Sequence, residues 1–152
     1  MLFVCHGNIC RSPTAEGVAR HHLRRKGLED LIEVASAGTH GYHTGEPPDP
    51  RAVAAALRRG IDIAAQRARR VTPEDFDAFD LVLAMDQQNL ANLERICPPQ
   101  HREKLDLVMR YARSFDIDEV PDPYFGGEAG FDRVIEMVED AIEGLLEELH
   151  RP

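Results

Sequence analysis

Tryptophan is absent from the sequence, and cysteine occurs only three times, as Cys5, Cys10 and Cys97. An odd, irregularly spaced set does not build the disulfide framework of a small secreted domain, so thiol chemistry or plain burial is the expected use. Basic charge is also short. Eighteen lysines and arginines face 27 acids, a net charge of −9, which denies the chain the cationic surface that sequence-independent nucleic-acid binding requires. No apolar run approaches the ~20 residues of a bilayer span, and the N-terminus shows neither the basic region nor the long apolar segment of a signal peptide. The expectation is an acidic cytoplasmic protein without membrane or nucleic-acid partners. Repeats and low-complexity tracts are missing too. With 43% hydrophobic residues among 152, the sequence predicts one domain, 1–152, with a single sizeable core.

What is present alternates between strand-like runs and helical spacing. Leu2 to Val4 and "FDLVLAM" (79 to 85) read as buried strands, Leu31 to Ala35 as another, and "KLDLVM" (104 to 109) as a weaker fourth. Helices are expected over 15–25, closed by Gly27, over 50–59, stopped by Gly60, and over 86–97 with Asp86 as cap. A last helix carries the stripe Phe131, Val134, Ile135, Val138, Ile142, Leu145, Leu146 and Leu149. Between them lie a proline-rich break, "TGEPPDP" (44 to 50), and a loop of functional length from 114 to 130. The order predicts an α/β fold: a doubly wound, four-stranded parallel sheet with helices on both faces. Such sheets bind ligands beyond the carboxyl ends of their strands, where strand order switches.

The stretch "LFVCHGNICRSPTAEG" (2 to 17) joins the first strand to a helix at that end. Ser12-Pro13 reads as an N-cap followed by a first-turn proline. A helix N-terminus leaves N–H groups unpaired and concentrates positive potential, which suits an anion. Cys5 and Arg11 spell C-x5-R. Amide donors, the helix end and a guanidinium favour a thiolate at Cys5, while Arg11 can give two parallel N–H groups to two oxygens of a tetrahedral oxyanion. Gly7 allows close backbone approach, Asn8 tolerates a left-handed conformation, and Ser12 is placed to donate to the sulfur.

"VCHGNICRSP" resembles the phosphate-binding loop of the low-molecular-weight protein tyrosine phosphatases, and the likeness continues through "SAGTHGYHTGEPPDPRA" (36 to 52), "AMDQQNL" (84 to 90) and "DPYFGG" (122 to 127). The resemblance implies hydrolysis of phosphotyrosine in proteins through a cysteinyl-phosphate, with Cys5 as nucleophile and Arg11 on the phosphoryl oxygens. Asp122 would be the acid and then the base. His6, Gly7, Asn8, Ile9, Cys10 and Ser12 complete the phosphate cradle. Tyr124 and Phe125 form one wall for the substrate ring and Tyr42 the other. No metal or cofactor is required. Cys10 is the expected redox partner of Cys5, trapping an oxidised sulfur as a disulfide. Gln66 stands in a segment where the family often has a histidine bracing the loop, so another partner is expected to hold Asn8. A weak homodimer is the assembly allowed for.

Rival readings have less behind them. Cys5, His6 and Cys10 lack the fourth ligand of a zinc site, and the loop lacks the lysine of a nucleotide-binding P-loop. Arsenate reductases share the loop and fold but need two further cysteines, of which only Cys97 is available; elsewhere Cys97 reads as core packing. A protein-arginine phosphatase on the same fold typically has threonine where Ile9 stands, and a phosphoprotein-binding module needs neither Cys5 nor Asp122. The runs at 24–26 and 67–70 read as solvated basic patches.

Overall fold

The computed structural model describes residues 1–149. Its four strands, β1 (Leu2–Cys5), β2 (Ala35–Gly38), β3 (Val82–Ala84) and β4 (Leu105–Leu107), form one all-parallel sheet in the order β2-β1-β3-β4. The helices are α1 (Arg11–Arg25), α2 (Pro50–Leu57), α3 (Pro73–Ala78), α4 (Gln87–Ile96) and α5 (Glu128–Leu149). Period-2 alternation divides the core. Phe3 and Cys5 on β1, with Leu83, face the layer that includes α1, α2 and α5. Leu2 and Val4, with Val82 and Ala84, face Phe76 of α3 and Leu93 of α4. β1 lies between β2 and β3, so the chain leaves it toward one edge and later returns to its other side. The end of β1 is therefore the switch point, and Cys5 is its last residue.

Five expectations shift. The second strand is Ala35–Gly38 rather than 31–35, and Leu31 lies 78% exposed in a turn. Small residues occupy β2 because the loop after β1 presses on it: a Cβ on Gly38 would come within 2.9 Å of the His6 carbonyl oxygen and 3.0 Å of that of His40. The strand at 79–85 shrinks to three residues, and the one at 104–109 to Leu105–Leu107 before a 3-10 turn at 108–111. α3 was not expected; six residues are too few for periodicity to show, although Thr72 and Asp75 form a capping box. The last helix starts at Glu128, and all of its predicted stripe is buried except Leu149, which is half-exposed.

Candidate active site

α1 begins at Arg11, so Ser12 is not its N-cap. Cys10 takes that position without a side-chain capping bond, and the Ser12 hydroxyl turns inward to lie 3.0 Å from Cys5 Sγ. Ser12 Oγ accepts from Asn8 Nδ2 at 2.8 Å, which leaves its own proton for the sulfur or for the Ala37 carbonyl at 3.4 Å. Asn8 holds φ = 59°, the one non-glycine residue with positive φ among the described residues. Its side chain explains how. Oδ1 accepts the Arg69 N–H at 3.0 Å, and Nδ2 also donates to Ser36 Oγ at 3.0 Å, which in turn donates to Glu16 Oε1 at 2.7 Å. Gln66 instead donates to the Pro13 carbonyl. Arg69 also makes a two-pronged pair with Asp75, so the 67–70 run is partly structural rather than a solvated patch.

Four of the loop's carbonyls are occupied. Those of Cys5 and His6 accept the N–H groups of Thr39 and His40, that of Ile9 accepts Asp49 N–H, and that of Cys10 accepts the Thr14 hydroxyl. Among the described residues the N–H groups of 6 to 10 have no protein acceptor. Unpaired amides in a loop whose carbonyls are engaged elsewhere are the elements of a donor nest over Cys5.

Arg11 is 2% exposed. Its NH1 donates to Asp86 Oδ2 at 2.7 Å and to the Val120 carbonyl at 3.0 Å, while NH2 lies 3.8 Å from Asp122 Oδ2. Burial disfavours its charge, but the adjacent Cys5, Asp86 and Asp122 outweigh burial and hold the guanidinium protonated. Asp86 meanwhile caps α4 through Asn89 N–H, as expected, so one carboxylate both starts a helix and aims the arginine. Cys10 differs sharply from a poised thiolate. Burial, then the charges of Asp49, Cys5 and Asp122, push its thiol far above the ordinary range. Cys97 is buried, and burial likewise raises its thiol.

A cleft of about 230 Å³ opens over the nest, lined by Cys5, His6, Gly7, Ile9, Cys10, Arg11, Tyr42, His43, Asp122, Tyr124 and Phe125. Asn8 and Ser12 stand beneath it as braces. Asp122 is half-exposed, with Oδ1 accepting the Tyr124 N–H at 3.0 Å. Tyr124 and Phe125 meet edge to face, and Phe125 is 94% exposed. Tyr42, 76% exposed, stacks on His40, whose ring lies 4.1 Å from that of His6. A larger cleft of about 470 Å³, between α1 and residues 60–67, is lined by no cysteine; its lining residues Glu16 and Ser36 belong to the Asn8 brace.

Sequence reasoning missed four members of this arrangement: His43, Asp86 as the arginine's partner, Arg69 and Arg51. Arg51 donates to the carbonyls of Tyr124 and Gly126 at 3.0 and 3.3 Å, pairs with Asp49, and lies over the Tyr124 and Phe131 rings. It ties the 122–127 loop to the Asp49 turn, which itself holds Ile9. Only its position in the "PPDPRA" segment was a signal.

A sulfur at a strand end, beneath unpaired amides and beside a buried guanidinium, is an arrangement able to hold an oxyanion against a thiol. The family model described as "Low molecular weight phosphotyrosine protein phosphatase" matches residues 1–152. A Streptomyces coelicolor low molecular weight protein-tyrosine-phosphatase is 46% identical over 152 residues, covering 96% of this chain and 90% of its own. The Homo sapiens low molecular weight phosphotyrosine protein phosphatase is 37% identical, covering 99% and 95%. A crystal structure of protein tyrosine phosphatase from Entamoeba histolytica superposes with a TM-score of 0.95 at 41% identity, covering 97% and 94%. The chain belongs to the low molecular weight phosphotyrosine protein phosphatase family.

Proposed function

We propose that this chain is a protein tyrosine phosphatase that works through a cysteinyl-phosphate on Cys5. The observation that carries the reading is the inward set of unpaired amides from residues 6 to 10 above Cys5, closed by Arg11. Cys5 thiolate attacks phosphorus in line, the amides and Arg11 take the equatorial oxygens, and the bond to the phenolic oxygen breaks as Asp122 gives it a proton. Water then attacks the phosphorus, Asp122 takes its proton, the S–P bond breaks, and phosphate leaves. Supporting this role, Asp86 and Val120 hold Arg11 NH1 and leave NH2 toward Asp122. The three cysteines are free thiols, which suits the cytoplasm, and none of the described helices is long and apolar enough to cross a membrane.

Phosphotyrosine fits the cleft better than phosphoarginine does. Ile9, Tyr42, Tyr124 and Phe125 offer hydrocarbon and ring faces that reward a flat phenyl group, whereas a guanidinium would lose water there without gaining partners. The test is kcat/KM for phosphotyrosine, phosphoserine and phosphoarginine peptides of one sequence. Phosphotyrosine is expected to lead, and Ile9→Thr to narrow its margin over phosphoarginine by about 1–3 kcal/mol. Faster phosphoarginine hydrolysis by the unaltered protein would overturn the assignment. Cys10, beside Cys5 in the same loop, supports a protective disulfide after peroxide. Cys10→Ala is then expected to recover less activity with thiol reductant than the unaltered protein, and equal recovery refutes the role.

A further inference from the structure

On the side of the molecule where α1 packs against α5, three side chains converge that the phosphatase reading does not use. His22, in the last turn of α1, is only 9% exposed, and its Nε2 is buried without a hydrogen-bond partner. Its nearest carboxylate oxygen, Glu139 Oε1, is 3.5 Å away. Glu143 stands one helical turn beyond Glu139 on the same face of α5, and one ligand atom from each of the three residues lies within 4.8 Å of the others. Among the described residues no other such cluster of three histidine, cysteine or acidic groups occurs.

We propose that His22, Glu139 and Glu143 bind a divalent transition-metal ion of the zinc type. An imidazole nitrogen with two carboxylates is a donor set suited to Zn²⁺ or Co²⁺ rather than to the all-oxygen preference of Ca²⁺ or Mg²⁺. The geometry fits. Two ligands about 2.0–2.2 Å from one tetrahedral zinc stand roughly 3.3–3.6 Å apart, close to the 3.5 Å between His22 and Glu139. Glu143, whose side chain is 46% exposed, has the freedom to close the remaining gap, and its exposure provides the entry path. Burial fixes His22. The nearby cations leave room: Arg59 bonds the other oxygen of Glu139, Oε2, at 3.2 Å and also reaches Glu136, while Arg113 lies 3.6 Å from Glu143 Oε2 and also pairs with Glu147. Two carboxylates balance the ion's charge, and water fills the fourth position. Bound there, the ion cross-links the helix that carries Arg11 and Ser12 to the longest helix of the fold.

A histidine merely paired with Glu139 predicts no metal dependence, so the two accounts separate cleanly. Co²⁺ is titrated into the full-length metal-free protein and followed by its visible absorption, with Zn²⁺ as competitor, and melting is recorded with Zn²⁺ and again after EDTA. One ion per chain is expected, with nitrogen–oxygen bands and no thiolate charge-transfer band, and a melting point raised by several degrees and returned by EDTA. Glu143→Gln, at an exposed position that does not endanger folding, and His22→Gln are each expected to weaken binding at least about tenfold. His40→Ala, which disturbs the separate His6–His40 pair at the cleft mouth, is expected to leave it unchanged. Absence of saturable binding, binding unchanged in Glu143→Gln, or binding lost instead in His40→Ala overturns the proposal.

Discussion

Residues 5 to 12 and residues 122 to 127 meet over the same cleft, yet one segment is mostly buried and braced from beneath while the other is mostly exposed and tethered at a few points. In the first, Asn8, Arg11 and Ser12 are almost wholly buried, and every polar group on the Asn8 side chain is used. In the second, Asp122 is half-exposed and Phe125 stands in solvent, and the tethers are Arg51 to the Tyr124 and Gly126 carbonyls and Arg11 NH2, 3.8 Å from Asp122. The contrast matches the division of labour in the proposed mechanism. An oxyanion cradle works by donors fixed before the substrate arrives, so their organisation is supplied by folding. An acid that must reach a leaving group and then a water, beside rings that accept different peptides, gains from lying on a less constrained loop.

Breaking the exposed side tests this first, because the largest effect is expected there. Asp122→Ala should slow phenyl phosphate about 10²- to 10⁴-fold while an aryl phosphate whose leaving group needs no proton loses little. Equal losses on both substrates in steady-state assays would mean that Asp122 is not the acid. Melting should hardly move, since the side chain is half in water.

The buried side should answer in the opposite currency. Asn8→Ala leaves Ser36, Ser12 and the Arg69 N–H without their shared partner and puts alanine at a positive φ, so a stability loss of about 2–4 kcal/mol is expected in urea denaturation, together with lower kcat. A variant that loses kcat without stability would show that Asn8 acts on chemistry directly and not through the loop.

A smaller effect concerns the outer brace. Burial raises the Asp75 carboxyl, but Arg69 and the Thr72 N–H lower it more, and the net shift is downward. A carboxyl depressed in the folded state contributes stability that is present above its unfolded pKa, about 3.9, and is lost as pH falls through the lower folded value. Stability of the unaltered protein should therefore fall more steeply below about pH 4 than that of Asp75→Asn. Parallel acid limbs in the two proteins would remove Asp75 from the account.

The same two regions differ in how far the sequence revealed them. The loop of residues 5 to 12 was legible because its pattern is local: strand, C-x5-R and helix start lie within a dozen residues, and the topology then puts Cys5 at the switch point. Its supports were not. Asp86 reaches Arg11 across 75 positions and Arg69 reaches Asn8 across 61, and no local pattern marks which acid or amide will meet which loop. Ser12 misled only as a cap, and its contact with the Cys5 sulfur was expected. Ser-Pro is a sound capping signal, but here the hydroxyl serves the sulfur and the first-turn donors stay unpaired. β2 misled because its Ala-Ser-Ala-Gly sequence is set by the loop pressing on it rather than by strand propensity.

The central claim is that phosphorus passes through the Cys5 sulfur. Rapid acid quench of the protein with a radiolabelled phosphotyrosine peptide, followed by peptide mapping, tests it directly. Label should appear on the peptide containing Cys5 at a rate no slower than turnover, and Cys5→Ser should abolish both label and turnover while still binding vanadate in the intact amide nest. Turnover that persists in Cys5→Ser, or label on a different residue, would contradict the account.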